Sequence, residues 1–157
     1  MLRLTLLRKI HMIQLRRITK DNFDSIKNLK VADYQNHFVS SAVDSLAQAW
    51  LYYDTAYPFA IYADDLPIGF VMLGYYESRK QYTLWKFFID EKHQHKGYGR
   101  QALQLAVNYL HNNFDCEEIY TGVYIGNNIA KHLYISFGFE ETGKIEANME
   151  ELKYTFA

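Results

Sequence analysis

The chain has 157 residues, 49% hydrophobic and 22% charged, with 8 glycines, 2 prolines and a formal charge of −1. That balance excludes a disordered or collagen-like chain, and the near-neutral charge leaves no general basic excess with which to hold nucleic acid. A chain of this size closes around one hydrophobic core, so residues 12–157 are expected to form a single domain.

Residues 1–11 are apolar and basic, with Arg8 and Lys9 breaking the apolar run, and a second methionine, Met12, follows. No uninterrupted apolar segment with a small-residue cleavage site is present, so they read as an N-terminal extension outside the fold. The longest apolar run, residues 68–76, falls far short of the roughly 20 residues that cross a bilayer, so no membrane partner is expected. The lone cysteine, Cys116, allows no intramolecular disulfide, and a reducing, cytoplasmic setting follows.

Residues 13–18 read as a first strand, and Asp21 offers an N-cap for a short helix reaching Leu29. Val39, Val43, Leu46, Ala47 and Trp50 recur at helical spacing and predict a second helix over residues 38–53, with those side chains buried. Pro58 marks a change of period. Residues 59–63 read as a strand, 64–67 as a turn and 68–76 as its hairpin partner. Another turn at 77–80 leads into 82–89, the most continuous apolar and aromatic strand. A polar loop over 90–96 then precedes a helix over 97–112 with Ala102, Leu103, Ala106 and Leu110 as its buried stripe. A strand at 119–124, a helix at 127–137 and, over roughly the last 20 residues, two strands around 143–148 complete the chain. This order predicts an α/β fold, a mixed, mostly antiparallel sheet flanked by helices.

The sharpest feature is the run Gln94, His95, Lys96, Gly97, Tyr98, Gly99, Arg100, where a strand has ended and an amphipathic helix begins. Glycines let several N–H groups converge on one point, and the helix dipole adds positive potential there. Lys96, Arg100 and His95 add charge, so the run suits a phosphate or pyrophosphate. The Gly-Lys-Ser/Thr ending of a P-loop is absent. Gly97 to Ala102 matches the dinucleotide pattern G-x-G-x-x-G/A literally, but the loop sits too far from its strand and no acidic residue ends the next strand.

The third pattern, Q/R-x-x-G-x-G/A, is met by Gln94 to Gly99, and here the sequence resembles the GNAT N-acetyltransferase family. A second stretch supports the resemblance: Asn127, Asn128, Ile129, Ala130, Lys131, His132, Leu133 and Tyr134, then Gly138 and Phe139, similar to the family's N-x-x-A-x-x-L-Y followed by G-F. Asn127 and Tyr134 are two helical turns apart and share a face. On residue type alone Tyr134 is equally an aromatic core residue beside Phe137. The likeness covers nearly the whole chain and is greatest to bacterial polyamine acetyltransferases of the spermine/spermidine type, through residues 35–39, 58–62, 69–72 and 87–91. Trp85 and Lys86 stand where relatives often carry acids.

The resemblance implies the GNAT acyl-CoA N-acyltransferase fold and transfer of acetyl from acetyl-CoA to a primary amine of a small molecule, a polyamine or diamine such as spermidine or spermine. It implies that the backbone of Phe87, Phe88 and Ile89 bonds the pantetheine arm, that Gln94, His95, Lys96, Gly97, Tyr98, Gly99 and Arg100 hold the pyrophosphate, that Asn127 holds the arm or its helix end, and that Tyr134 serves the departing sulfur. It also implies a homodimer. Asp33, Asp54 and Glu77 are the acidic candidates for drawing in a cationic substrate. No metal is expected, since His93 and His95 lack a carboxylate or thiolate to complete a site. The alternatives are acetylation of another amine (an amino acid, an aminoglycoside or a protein amino group) and a non-catalytic acyl-CoA sensor.

Overall fold

The computed structural model describes residues 10–157. Seven strands form one sheet in the order β1-β2-β3-β4-β5-β7-β6. They are β1 (Ile13–Arg16), β2 (Ala56–Ala63), β3 (Leu66–Tyr76), β4 (Gln81–Ile89), β5 (Glu118–Tyr124), β6 (Glu140–Glu146) and β7 (Met149–Thr155). Every neighbouring pair is antiparallel except β4 with β5. The helices are α1 (Phe23–Lys27), α2 (Ala42–Leu51), α3 (Tyr98–Phe114) and α4 (Asn128–Phe137). The expected mixed, mostly antiparallel sheet flanked by helices is the architecture found. Among the described residues no helix is long and apolar enough to cross a membrane.

Alternation along the strands separates two cores. Val71, Leu73, Leu84 and Ile89 face α3, whose Ala102, Leu103, Ala106 and Leu110 are buried as their spacing requires. Phe70, Met72 and Phe88 face the other way, toward Ile26 of α1 and Ala42 and Ala49 of α2.

The phase of α2 differs from its hydrophobic pattern. Val43 and Ala47 are exposed, Trp50 is 76% exposed, and the buried residues are Ala42, Ser45 and Ala49. A face of small side chains lets the helix lie close on the sheet, and Ser45 satisfies its buried hydroxyl by donating to the Ser41 carbonyl at 2.8 Å. The helix also starts later than residue 38, because Ser41 accepts from the Asp44 N–H as its N-cap. The N-cap of α1 is Asn22 and not Asp21, with Asn22 Oδ1 accepting from the Thr19 N–H at 2.8 Å.

Pro58 lies inside β2 and not at its edge in sequence. It pairs with Met72 on one side, while β1 reaches only Ala60 on the other, so no ladder bond needs the missing N–H. Residues 1–9 of the expected extension lie outside the described residues. At its end, His11 Nδ1 meets Asp64 Oδ2 at 2.7 Å, and the Met12 N–H donates to Asp64 Oδ1.

Gly69 sits where β3 crosses β4 most closely: a Cβ there would lie 2.5 Å from the Phe88 carbonyl oxygen. Gly69→Val is expected to cost about 3 kcal/mol by overpacking against backbone that cannot yield, read as a fall in the denaturation midpoint.

Candidate active site

Strands β4 and β5 pair at only two positions, Tyr82 with Ile119 and Thr83 with Tyr120. Beyond them Thr121 Oγ1 donates to the Leu84 carbonyl at 2.9 Å, a side chain standing where the ladder ends. From there the strands diverge. A cavity of about 280 Å³ opens between them, lined by Leu84, Phe87, Val123, Asn127 and Tyr134 among others. In a parallel sheet such an interruption leaves backbone N–H and C=O groups without strand partners, and an extended ligand can take them up.

The register of β4 against β3 shifts between Met72 and Leu73: Lys86 pairs with Met72 and Leu84 with Leu73, leaving Trp85 as the extra residue of a bulge. Leu84 and Phe87 therefore belong to the α3 side, while Trp85 and Phe88 pack on the α2 side. The Tyr52 ring meets the Trp85 ring edge-on at 5.6 Å.

The loop after β4 is held firmly. Asp90, buried, accepts from the Lys30 N–H at 2.9 Å and the Lys92 N–H at 3.0 Å. Gln94 Nε2 donates to the Ile89 carbonyl at 2.8 Å and to Gln35 Oε1 at 2.9 Å. The side chain of Gln94 thus faces inward as a brace, while His95, Lys96 and Gly97 are exposed. Gln94→Ala is expected to lower stability by about 1–2 kcal/mol and to weaken binding of CoA, measured by melting and by calorimetry.

His95 and Gly97 both take left-handed backbone angles, φ 62° and 80°, and Gly97 is the N-cap of α3. The first N–H groups of α3, at Tyr98, Gly99 and Arg100, have no carbonyl behind them in the helix and face the loop. A Cβ at Gly97 would meet nothing within 4 Å, so the space over this turn is open to an anion. Arg100 Nη1 donates to the Ser136 carbonyl at 3.2 Å and its guanidinium lies over Phe137, tying the start of α3 to the end of α4. Burial together with the Lys96 charge pushes the His93 imidazole down, favouring its neutral form beside this turn.

Asn127 is the N-cap of α4, accepting from the Ala130 N–H. Two turns on, Tyr134 is buried between Phe87, at 6.4 Å between ring centres, and Phe139, at 5.6 Å. It is both a core aromatic and a wall of the cavity. Burial pushes its phenol well above the usual range, with the Thr121 hydroxyl partly offsetting, so the O–H is retained at neutral pH.

A second cavity of about 400 Å³ lies on the other side of the divergence and shares Trp85, Thr121, Gly122 and Met149 with the first. Its walls include Tyr52, Tyr75, Tyr76 and Tyr120, with Glu146 and Glu151 as its acids. Glu146 is paired with Arg79 and, at 3.4 Å, with Lys144, and these cations hold its carboxyl below the usual range. Glu151 Oε1 instead accepts from Thr142 Oγ1 at 2.9 Å. Asp33, Asp54 and Glu77 are exposed and line neither cavity. Glu146 and Glu151 were not legible as site residues, because they reach the cavity from the last hairpin only after it has docked on β5. Among the described residues no group of three or more His, Cys, Asp or Glu side chains is placed to hold a metal ion.

These features accord with what the chain resembles. Residues 23–139 match the model of the acetyltransferase (GNAT) family. Over 148 residues the chain is 32% identical to the spermine/spermidine N(1)-acetyltransferase of Bacillus subtilis, covering 89% of this chain and 95% of that relative. Among solved structures, the PaiA N-acetyltransferase of Thermoplasma acidophilum in complex with coenzyme A superposes with a TM-score of 0.71 at 14% identity, covering 92% of this chain and 99% of that one. The spermidine N-acetyltransferase of Vibrio cholerae in complex with CoA and spermine gives 0.69 at 21% identity, covering 90% and 92%. With a divided sheet, an open anion turn at the head of α3 and this breadth of match, the chain belongs to the GNAT acetyltransferase family, whose acetyl donor is acetyl-CoA.

Proposed function

We propose that this chain acetylates a primary amine of a polyamine or diamine such as spermidine or spermine. The observation that carries the reading is the meeting of two cavities at Trp85, Thr121, Gly122 and Met149: one runs from that junction past Tyr134, the other is lined with aromatic rings, with Glu151, and with Glu146 paired to Arg79 and Lys144. Ring faces and carboxylates are what an alkylammonium chain requires. The name of the Bacillus relative agrees.

Acetyl-CoA, when bound, supplies an activated acetyl thioester. The residues present fit it: the turn over His95 to Arg100 offers converging N–H groups for the pyrophosphate, and the backbone of Phe87, Phe88 and Ile89 offers groups to the extended arm. An N–H of β4 aimed at the thioester carbonyl would stabilise negative charge there. Asn127 holds the start of α4, and with it the position of Tyr134. The Tyr134 hydroxyl donates to the departing sulfur. Because an alkylammonium has a pKa near that of lysine, about 10.4, one proton must leave before attack, and the open second cavity gives water access to it.

Glu151 holds the distal ammonium in this reading, at the far end from the reacting nitrogen, since Glu146 is already paired with Arg79 and Lys144. Glu151→Gln is expected to raise KM for spermidine about tenfold, a charged hydrogen bond's worth, and to leave KM for propylamine nearly unchanged. A cytoplasmic homodimer belongs to the same reading. The buried free thiol of Cys116 suits a reducing compartment, and β6 is an outer strand with one edge unpaired in the sheet. The test is release of free CoA from acetyl-CoA with spermidine, spermine, putrescine, amino acids and an aminoglycoside. Rapid release with polyamines is expected; release with another class alone reassigns the substrate, and acetyl-CoA binding without release to any amine makes the chain a sensor.

A further inference from the structure

Lys86 is an amine in an unusual place. It is half-buried on β4 beside the Trp85 bulge, and its Nζ donates to Ser40 Oγ at 2.9 Å, a hydroxyl and not a carboxylate. Burial pushes its ammonium down from the usual lysine range, with Asp44 on α2 partly opposing, so a larger share is neutral than for an exposed lysine. The side chain lines the same cavity as Phe87, Asn127 and Tyr134. A primary amine, partly neutral and facing the space assigned above to the thioester, has the properties the reaction asks of its acceptor.

We propose that Lys86 is an acetylation site of this chain, modified by intramolecular transfer from bound acetyl-CoA when no free amine occupies the adjoining second cavity. The proposal rests on the donor position argued under the proposed function. The Lys86 ammonium first releases one proton to water. The neutral Nζ then forms a bond to the acetyl carbonyl carbon, the carbon–sulfur bond breaks, and a second Nζ proton ends on the CoA thiol. The resulting amide keeps one N–H for Ser40 Oγ and takes a positive charge off the cavity wall. A flexible four-carbon stem allows the swing from Ser40 that attack requires.

The experiment incubates the full chain with trideuteroacetyl-CoA, without amine, and quantifies the label at each lysine by peptide mass spectrometry. Lys86 is expected to label at least about tenfold faster than the exposed Lys20 and Lys80, through the effective concentration of an intramolecular amine. Added spermidine should suppress the label at Lys86 and spare Lys20 and Lys80, and Lys86→Arg should abolish it at that position alone. Trace labelling with acetic anhydride in the absence of CoA should show Lys86 ionising below the usual lysine range, a readout independent of transfer. Labelling of Lys86 no faster than Lys20 and Lys80, in protein that does acetylate spermidine, overturns the proposal and leaves the function standing. Failure to bind acetyl-CoA at all overturns both.

Discussion

Replacing Tyr134 by Phe is expected to lower turnover about 10²- to 10⁴-fold, the range for loss of a positioned proton donor, while leaving CoA affinity close to that of the unaltered chain. The ring is packed between Phe87 and Phe139, so phenylalanine occupies the same space and only the hydroxyl is removed. Burial raises the pKa of that hydroxyl, so the proton stays on it at neutral pH and is at hand for the departing sulfur. The measurement pairs steady-state kinetics with calorimetric titration of CoA. Unchanged turnover with CoA still bound would remove Tyr134 from the chemistry and leave it as a core aromatic.

Gly122→Val should abolish most activity by a different route. Gly122 lies on β5 at the junction of the two cavities, paired with Glu151 of β7. The three atoms nearest a Cβ there all belong to the Met149 side chain, the closest being Cε at 3.0 Å, and a methionine end has the freedom to move aside. The fold should therefore tolerate valine, a good strand former, with a melting temperature near that of the parent. The added methyls stand between donor and acceptor, and a displacement of about 1 Å in that approach costs on the order of 100-fold in kcat/KM. Retention of full amine acetylation would mean that the two ligands do not meet at this junction.

These two positions also differ in how far the sequence announced them. Tyr134 was singled out by resemblance, because Asn127 to Tyr134 followed by Gly138 and Phe139 is similar to the GNAT pattern, and the helix then puts Asn127 and Tyr134 on a shared face. The turn over Gln94 to Arg100 was legible for a similar reason: a glycine with a left-handed angle at the head of an amphipathic helix is a local matter. Gly122 carried no such mark. Its role follows from the divergence of β4 from β5, and strand pairing between segments 37 residues apart leaves no trace in either segment alone.

The same contrast runs through the positions where pattern and placement part. The apolar pattern of α2 pointed to Val43 and Trp50 as buried, whereas close packing on the sheet selected the small residues Ala42, Ser45 and Ala49. Gln94 was read as a cofactor contact, and the structure turns its side chain inward onto Ile89 and Gln35. Asp33, Asp54 and Glu77 were chosen because they flank elements near the expected site in sequence, but the acids that line the cavity, Glu146 and Glu151, arrive from the last hairpin.

By itself the sequence determined the order of strands and helices, since hydrophobic period and capping act within a few residues, and it carried the two stretches that resemble the family's patterns, Gln94 to Gly99 and Asn127 to Phe139. Tertiary structure alone decided where β4 and β5 part, which way Trp85 and Lys86 point at their bulge, and which carboxylates line the second cavity. Those outcomes depend on long-range register and on the close packing of whole layers, in which one extra residue in a strand reassigns the side chains that follow it.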